Sequence, residues 1–231
     1  EPMRSVMPPE GFLQGVVRLA HEHGAVVIFD EVSTGFRPTA GGVQPLVDVV
    51  PDMAVFAKSI SNGYAMGAVV GRREVMEPAS RMFISSTYWG ETLGLRAALT
   101  TLREIRRRRI PEQLDRLGSE LKSRMTAVAR EVGLPARCDG LNWHPHVHFD
   151  VEDPAAKEMM ATLYIQEMAK RGCHGYPAFY LNGAQGRDEV EQTVVAARET
   201  FTRIEEARRA GRLETLMECE PRKDYFRRLV S

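Results

Sequence analysis

The stretch Ala25-Val26-Val27-Ile28-Phe29-Asp30-Glu31-Val32 decides the fold. Its apolar run is short, continuous and rich in β-branched residues, which reads as a buried β-strand ending in two carboxylates. Ahead of it, Pro8-Pro9-Glu10 starts a helix in which Phe12, Val16, Leu19 and Ala20 share a face, and Gly24 stands where a helix C-cap would turn the chain into the strand. A helix feeding a short apolar strand is the unit of a parallel sheet. A second run, Met53-Ala54-Val55-Phe56-Ala57-Lys58, opens after Pro51-Asp52 and stays apolar until its last residue. Ala68-Val69-Val70-Gly71 reads as a third strand, and Arg72-Arg73-Glu74 begins a helical turn.

Asp30 and Lys58 therefore stand at the ends of two apolar strands. An ionised group at such a place is costly unless it has a partner or a chemical role. Taken singly, each has an ordinary reading: Asp30 caps the next turn, and Lys58 snorkels out of its strand. Taken together, they suit a cofactor that carries a protonated pyridine nitrogen and an aldehyde. The carboxylate would hold the ring nitrogen cationic, and the amine would form a Schiff base and later move a proton. Open α/β sheets place ligands at the C-terminal ends of their strands, where both residues sit.

The segments HGAVVIFDEVSTGFR (23–37), AKSISNGYAMGAVVGRREVM (57–76) and SSTYWGETLGLRAAL (85–99) follow one another in order. In this the chain resembles the class III aminotransferases of the fold type I pyridoxal phosphate enzymes, most of all the branch around glutamate-1-semialdehyde aminomutase. The resemblance implies pyridoxal 5'-phosphate as cofactor, with Asp30 on the pyridine nitrogen, Val32 on one face of the ring, Lys58 in the internal aldimine, and Thr87 on the phosphate of a neighbouring subunit's site. It also implies a homodimer with active sites at the subunit interface, and a small-molecule amino donor and carbonyl acceptor as substrates. Tyr88-Trp89-Gly90-Glu91-Thr92 departs from the family's small-Gly-Asn-Pro run, so the substrate stays open. Arg37, Asn62, Tyr88, Trp89 and Glu91 are the candidates for lining its pocket. Aminotransferase and 2,1-aminomutase share every residue named, and a non-catalytic partner lobe is the reading from another class.

Family members are about twice as long, and the resemblance implies that their first half supplies the glycine-rich phosphate loop and the aromatic residue that stacks on the outer ring face. The chain begins Glu1-Pro2-Met3-Arg4, which reads like the middle of the large domain. An N-terminal half of the same enzyme, on a separate chain or on the same polypeptide, is accordingly expected as a partner. The fold expected is α/β: residues 1–110 form the C-terminal part of the cofactor-binding large domain, a mainly parallel sheet with flanking helices that ends in a long linking helix. Residues 111–231 form a smaller α+β domain.

Composition narrows the function class. The 31 Lys and Arg balance 31 Asp and Glu, so no overall field recruits nucleic acid or an anionic membrane. No apolar stretch approaches the roughly 20 residues that span a bilayer. Cys138, Cys173 and Cys219 lack Cys-x-x-Cys spacing, which speaks against a disulfide framework or zinc ribbon and for a reducing, cytoplasmic setting.

Beyond Glu91, Leu95, Ala98, Leu99, Leu102 and Ile105 repeat at helical spacing, and the Arg106–Arg109 run suits the negative end of that helix. Pro111 breaks it. Helices are expected over 113–132, 154–171 and 187–207, a strand over 143–151, and an extended stretch over 173–180. His144, His146, His148 and Asp150 alternate along their strand, which raises a shared metal ion. The reading favoured instead is the polar outer face of an edge strand, marked by Pro145, with no metal bound. Phe179 and Tyr180 either reach the active site or fill the lobe. The charged tail, with Arg212, Glu214, Glu218, Glu220, Arg222, Lys223, Asp224, Arg227 and Arg228, reads as a surface or subunit contact.

Overall fold

Strand β1 (Ile28–Asp30) pairs in parallel with β2 (Met53–Phe56), setting Ile28 opposite Met53 and Asp30 opposite Val55. The computed structural model describes residues 7–222, and these divide between Asp115 and Arg116 into two units. Lys223, Asp224, Arg227 and Arg228 of the tail lie outside the described residues.

In the first unit, α1 (Phe12–Glu22) ends as expected before Gly24, whose φ of 68° only glycine adopts without strain. The sheet is mixed: β3 (Ala68–Gly71) runs antiparallel to β2. Residues 57–67 are too few for the crossover that a parallel strand needs, so the chain turns back on itself. Strand β1 is also less buried than its sequence suggests, with Ile28 half exposed, because it lies at the sheet edge with one strand neighbour among the described residues. Asp52 knots the strand starts together. Its carboxylate accepts from the Val27 N–H at 2.8 Å and meets His21 at 2.9 Å, and these bonds hold it below the usual carboxylate range.

Short helices α2 (Gln44–Val47) and α3 (Arg73–Met76) flank the strands, and the long α4 (Thr92–Arg108) follows. Ala98 of α4 packs with Ala54, Phe56 and Ile60, and Phe29, Phe36, Met66 and Ala68 close around them. This cluster sits directly beneath the ends of β1 and β2. The arginine run ends α4, where Arg107 pairs with Glu104 at 2.6 Å and Arg109 turns the chain in the left-handed region at φ 53°. Helix α4 stops at Arg108, ahead of Pro111 as expected, and Pro111 then sits in the first turn of α5 (Ile110–Val132), which needs no N–H from it.

In the second unit, β4 (Ala136–Leu141) and β5 (His144–Phe149) form an antiparallel hairpin, and α6 (Pro154–Lys170) and α7 (Arg187–Arg209) follow. Leu121, Met125 and Val128 of α5 are buried, as are Phe149, Tyr164 and Phe201, where Tyr164 meets the Phe149 ring edge-on and the Phe201 ring at a tilt. The Asp153 carboxylate caps α6 by accepting from the Ala155 N–H at 3.0 Å. A Cβ on Gly118 of α5 would stand 1.7 Å from the Asn142 carbonyl oxygen, which is backbone and cannot swing aside. Gly118→Ala is therefore expected to destabilise this unit by about 1–3 kcal/mol through overpacking, a drop of several degrees in the midpoint of a thermal melt.

The histidine face departs from expectation. His144 is 3% exposed, Pro145 is fully buried, and His146 is half buried. Residues 177–180 cover this part of β5: the Val147 N–H donates to the Pro177 carbonyl at 2.6 Å, the Phe179 N–H donates to the Pro145 carbonyl at 2.8 Å, and His146 bridges to Ala178. Tyr180 stacks on His144 with ring centroids 4.0 Å apart. Burial, with His144 and His148 alongside, pushes the His146 imidazole down to about 4, which favours the neutral form of that ring.

Candidate active site

Parallel pairing brings the C-terminal ends of β1 and β2 side by side, and each strand delivers one charged group there. Asp30 is the last residue of β1 and is exposed; its Oδ1 accepts from the Val32 N–H at 2.9 Å. The turn-capping role read from the sequence is thus present. Lys58 stands just beyond β2 as the first residue of a 3-10 turn, Lys58–Ile60. Its φ of 47° lies in the left-handed region, as do those of Asn62 at 48° and Phe36 at 64°. Each such non-glycine residue costs on the order of 1 kcal/mol, a strain that gathers at functional sites.

The Lys58 Nζ donates to the Ser33 hydroxyl at 2.5 Å. Ser33 is buried, and it belongs to a loop organised around Glu31, which is only 1% exposed. One Glu31 carboxylate oxygen accepts from the Thr34 hydroxyl and the other from the Val43 N–H at 2.8 Å. Gly42, at φ 96°, passes so close that a Cβ there would lie 2.6 Å from the Glu31 carboxylate. The Gly35 N–H donates to the Glu31 carbonyl at 2.7 Å, and Phe36 lays its ring against Phe56 at 5.1 Å. Arg37 turns back on this loop, donating through Nε to the Ser33 carbonyl at 2.8 Å.

Asp30, Val32, Ser33, Arg37 and Lys58 are thus gathered by one loop and two strand ends, and Asn62 follows in the turn after Lys58. Thr87, Tyr88 and Trp89 lie on the exposed segment before α4, Tyr88 at 80% and Trp89 at 68% exposure. Glu91 is the N-cap of α4. It accepts from the Leu93 N–H at 2.6 Å and the Gly94 N–H at 3.0 Å, and the bonds from Gly94 and Leu93 hold its carboxyl below the usual range. Ser33 and Glu31 went unremarked as site residues in the sequence. The one signal for Glu31 was a second acid in an apolar run, and nothing local marks Ser33. Among the described residues, no group of three or more His, Cys, Asp or Glu side chains is placed to hold a metal ion, and no helix is long and apolar enough to cross a membrane.

An α/β sheet followed by a second helical and hairpin unit places the chain in the fold of the type I pyridoxal phosphate transaminases. The structure of the pyridoxal phosphate internal aldimine form of Sphingopyxis sp. MTA144 FumI protein matches with a TM-score of 0.82 at 24% identity, over 92% of this chain and 51% of that one. An omega-transaminase from Sphaerobacter thermophilus matches with a TM-score of 0.76 at 27% identity, over 85% of this chain and 48% of that one. The chain belongs to the class III aminotransferase family, whose sequence profile, Aminotransferase class-III, matches residues 3–141. It is 31% identical over 205 residues to 3-aminobutyryl-CoA aminotransferase of Cloacimonas acidaminovorans, covering 86% of this chain and 49% of that protein. It is 34% identical over 226 residues to glutamate-1-semialdehyde 2,1-aminomutase of Roseiflexus castenholzii, covering 90% of this chain and 51% of that protein. The chain thus spans about half the length of the curated relatives it matches.

Proposed function

We propose that the complete protein is a pyridoxal 5'-phosphate-dependent aminotransferase of small amino and carbonyl substrates, and that this chain is its lysine-bearing part. The observation that carries this reading is the placement of the Lys58 amine and the Asp30 carboxylate at adjacent C-terminal strand ends. These residues fit the cofactor: a carboxylate for a pyridinium nitrogen, and a primary amine for an aldehyde, both exposed at the end of the sheet. When bound, the cofactor supplies an electron sink for negative charge on the carbon next to the substrate amine. Asp30 would hold the ring nitrogen through its carboxylate, favouring its protonated form. Lys58 would hold the cofactor through Nζ, and the same amine is the group that would move a proton to and from the substrate carbon. Val32 covers one ring face, Thr87 serves the phosphate of a neighbouring subunit's site, and Arg37, Asn62, Tyr88, Trp89 and Glu91 line the substrate pocket.

Residues 1–110 are then the C-terminal part of the cofactor-binding domain and 111–231 the small domain. The exposed apolar side chains of Phe12, Leu19 and Ile28, on a chain half as long as its relatives, support an N-terminal half that covers them and a homodimer that completes the sites. Three free cysteines suit a cytoplasmic enzyme. The identity to an aminomutase favours a second reading, in which amine and carbonyl belong to one molecule; turnover without an added keto acid distinguishes it. The complete protein given pyridoxal phosphate is expected to show a visible absorbance band that borohydride fixes onto Lys58, located by peptide mass. Without that band at saturating cofactor, the enzyme reading gives way to a non-catalytic partner lobe.

A further inference from the structure

Between β1 and Lys58 lies a small construction that the proton-transfer chemistry does not by itself require. Lys58 does not simply project from its strand end. Its Nζ meets the Ser33 hydroxyl at 2.5 Å, a distance of close contact for a nitrogen donor and an oxygen acceptor. Ser33 is buried, 25 residues away in the chain, and it could not hold this position as an ordinary loop residue.

What holds it is Glu31. A carboxylate 1% exposed is expensive to bury unless its oxygens are bonded, and both are: one by the Thr34 hydroxyl, one by the Val43 N–H at 2.8 Å. Thr34 follows Ser33 directly, so the first bond clamps the residue next to the one that meets the lysine. Val43 comes from the far end of the loop, so the second closes it into a ring of fixed size. Gly42 allows that closure, since any side chain there would strike the carboxylate. On the lower side, a Cβ on Gly35 would stand 2.7 Å from both the Glu31 carbonyl and the Phe56 ring of β2, so the loop is seated on the strand that ends at the lysine. From the other direction, Lys58 is fixed by its left-handed backbone. The two halves of the contact are therefore preset independently, and they converge on one hydrogen bond.

We propose that Ser33, held in place by the buried Glu31, is a positioning residue that aims the Lys58 amine; this rests on the reading of Lys58 as the cofactor's lysine. The hydroxyl matters whenever Lys58 is a free amine: before it condenses with the aldehyde, where Nζ adds to the carbon and water leaves, and after an incoming amine has displaced it. A lysine has four rotatable side-chain bonds and loses about 2 kcal/mol of rotamer entropy when fixed, so an unheld amine samples many orientations that cannot react. Fixing it beforehand removes that cost from the reaction.

The test uses the complete protein stripped of cofactor and then mixed with pyridoxal 5'-phosphate, with growth of the visible band followed in time. The Ser33→Ala variant is expected to form the band about 10-fold more slowly, at an unchanged melting temperature, and borohydride still fixes the adduct on Lys58. The Ser33→Thr variant, which keeps a hydroxyl, is expected to recover a rate within about twofold of the original. A purely structural role would move the melting temperature and would not distinguish alanine from threonine in this way. Glu31→Gln, which keeps the shape of the side chain but replaces one acceptor oxygen with a donor, is expected to slow the band as Ser33→Ala does. Ser33→Ala reconstituting at the original rate overturns the role of Ser33 while leaving the cofactor reading intact. Absence of the band from the unaltered protein overturns the cofactor reading itself, and this proposal with it.

Discussion

In the Lys58→Ala protein, turnover is expected to fall by about 10³-fold or more, and the borohydride-fixable visible band to vanish. Both effects trace to one atom. In the proposed reaction Nζ would be both the tether of the cofactor and the base that carries the proton, so its removal would take away covalent anchoring and proton transfer together. Asp30, at the end of the neighbouring strand, is untouched by the change, and cofactor is still expected to bind without a covalent link at millimolar concentration. The measurement is single-turnover conversion of cofactor by a panel of α-amino acids and ω-amines, followed by absorbance. Conversion within about tenfold of the unaltered rate would remove Lys58 from the chemistry, since positioned general bases contribute about 10²-fold at the least.

The second large effect lies away from the site. Glu167, on α6, is 1% exposed and is surrounded by donors: Gln166 at 3.0 Å, Lys170 at 3.1 Å, Arg171 at 3.0 Å and Arg203 at 3.3 Å. Burial opposes its charge, but the hydrogen bonds from Gln166, Arg171 and Lys170 and the nearby Arg203 prevail, holding the carboxyl at about 2 against an ordinary 4.5. Glu167→Ala removes the buried anion that Lys170, Arg171 and Arg203 share, while Lys170 keeps Glu218 and Arg171 keeps Glu199 as partners. Breaking a buried pair costs about 3–5 kcal/mol, and because Lys170 and Arg203 are partly open to water the lower end, about 3 kcal/mol, is expected. The pH dependence carries a sign. The folded carboxyl titrates below the unfolded one, so its stabilisation is complete above about pH 4.5 and drains away as the pH falls toward 2. Urea midpoints measured at pH 7 and pH 3 should therefore show the gap between Glu167→Ala and the unaltered protein narrowing in acid. A gap of equal size at both pH values would mean that the carboxylate is not the source of the stability.

The sequence carried the strand-end pair well because its signal is local: Asp30 and Lys58 each close a run of apolar residues, and the parallel pairing that brings them together follows from the same runs. The long helices were legible for a similar reason, their apolar spacing being continuous. What escaped was set by distant contacts. Glu31 looks like a spare acid until Gly42 and Val43 return eleven and twelve residues later to enclose it. Ser33 gains meaning only once Lys58 arrives from another strand. Strand β4, Ala-Arg-Cys-Asp-Gly-Leu, lacks apolar alternation, and its pairing with β5 supplies what its composition does not. The histidines of β5 read as an outer face from sequence because their cover, residues 177–180, lies some thirty residues further on.

Strands β1 and β3 each have a single strand neighbour among the described residues. Each leaves a row of backbone N–H and C=O groups along its outer side, and β3 carries Val69 and Val70, both half exposed, with no proline or charge inside the strand to interrupt the row. Such edges are templates for pairing with another chain. A preparation of these 231 residues alone would be colloidally fragile, drifting toward strand-to-strand oligomers as its concentration rises. The same edges, sheltered inside a larger assembly, would carry no such hazard.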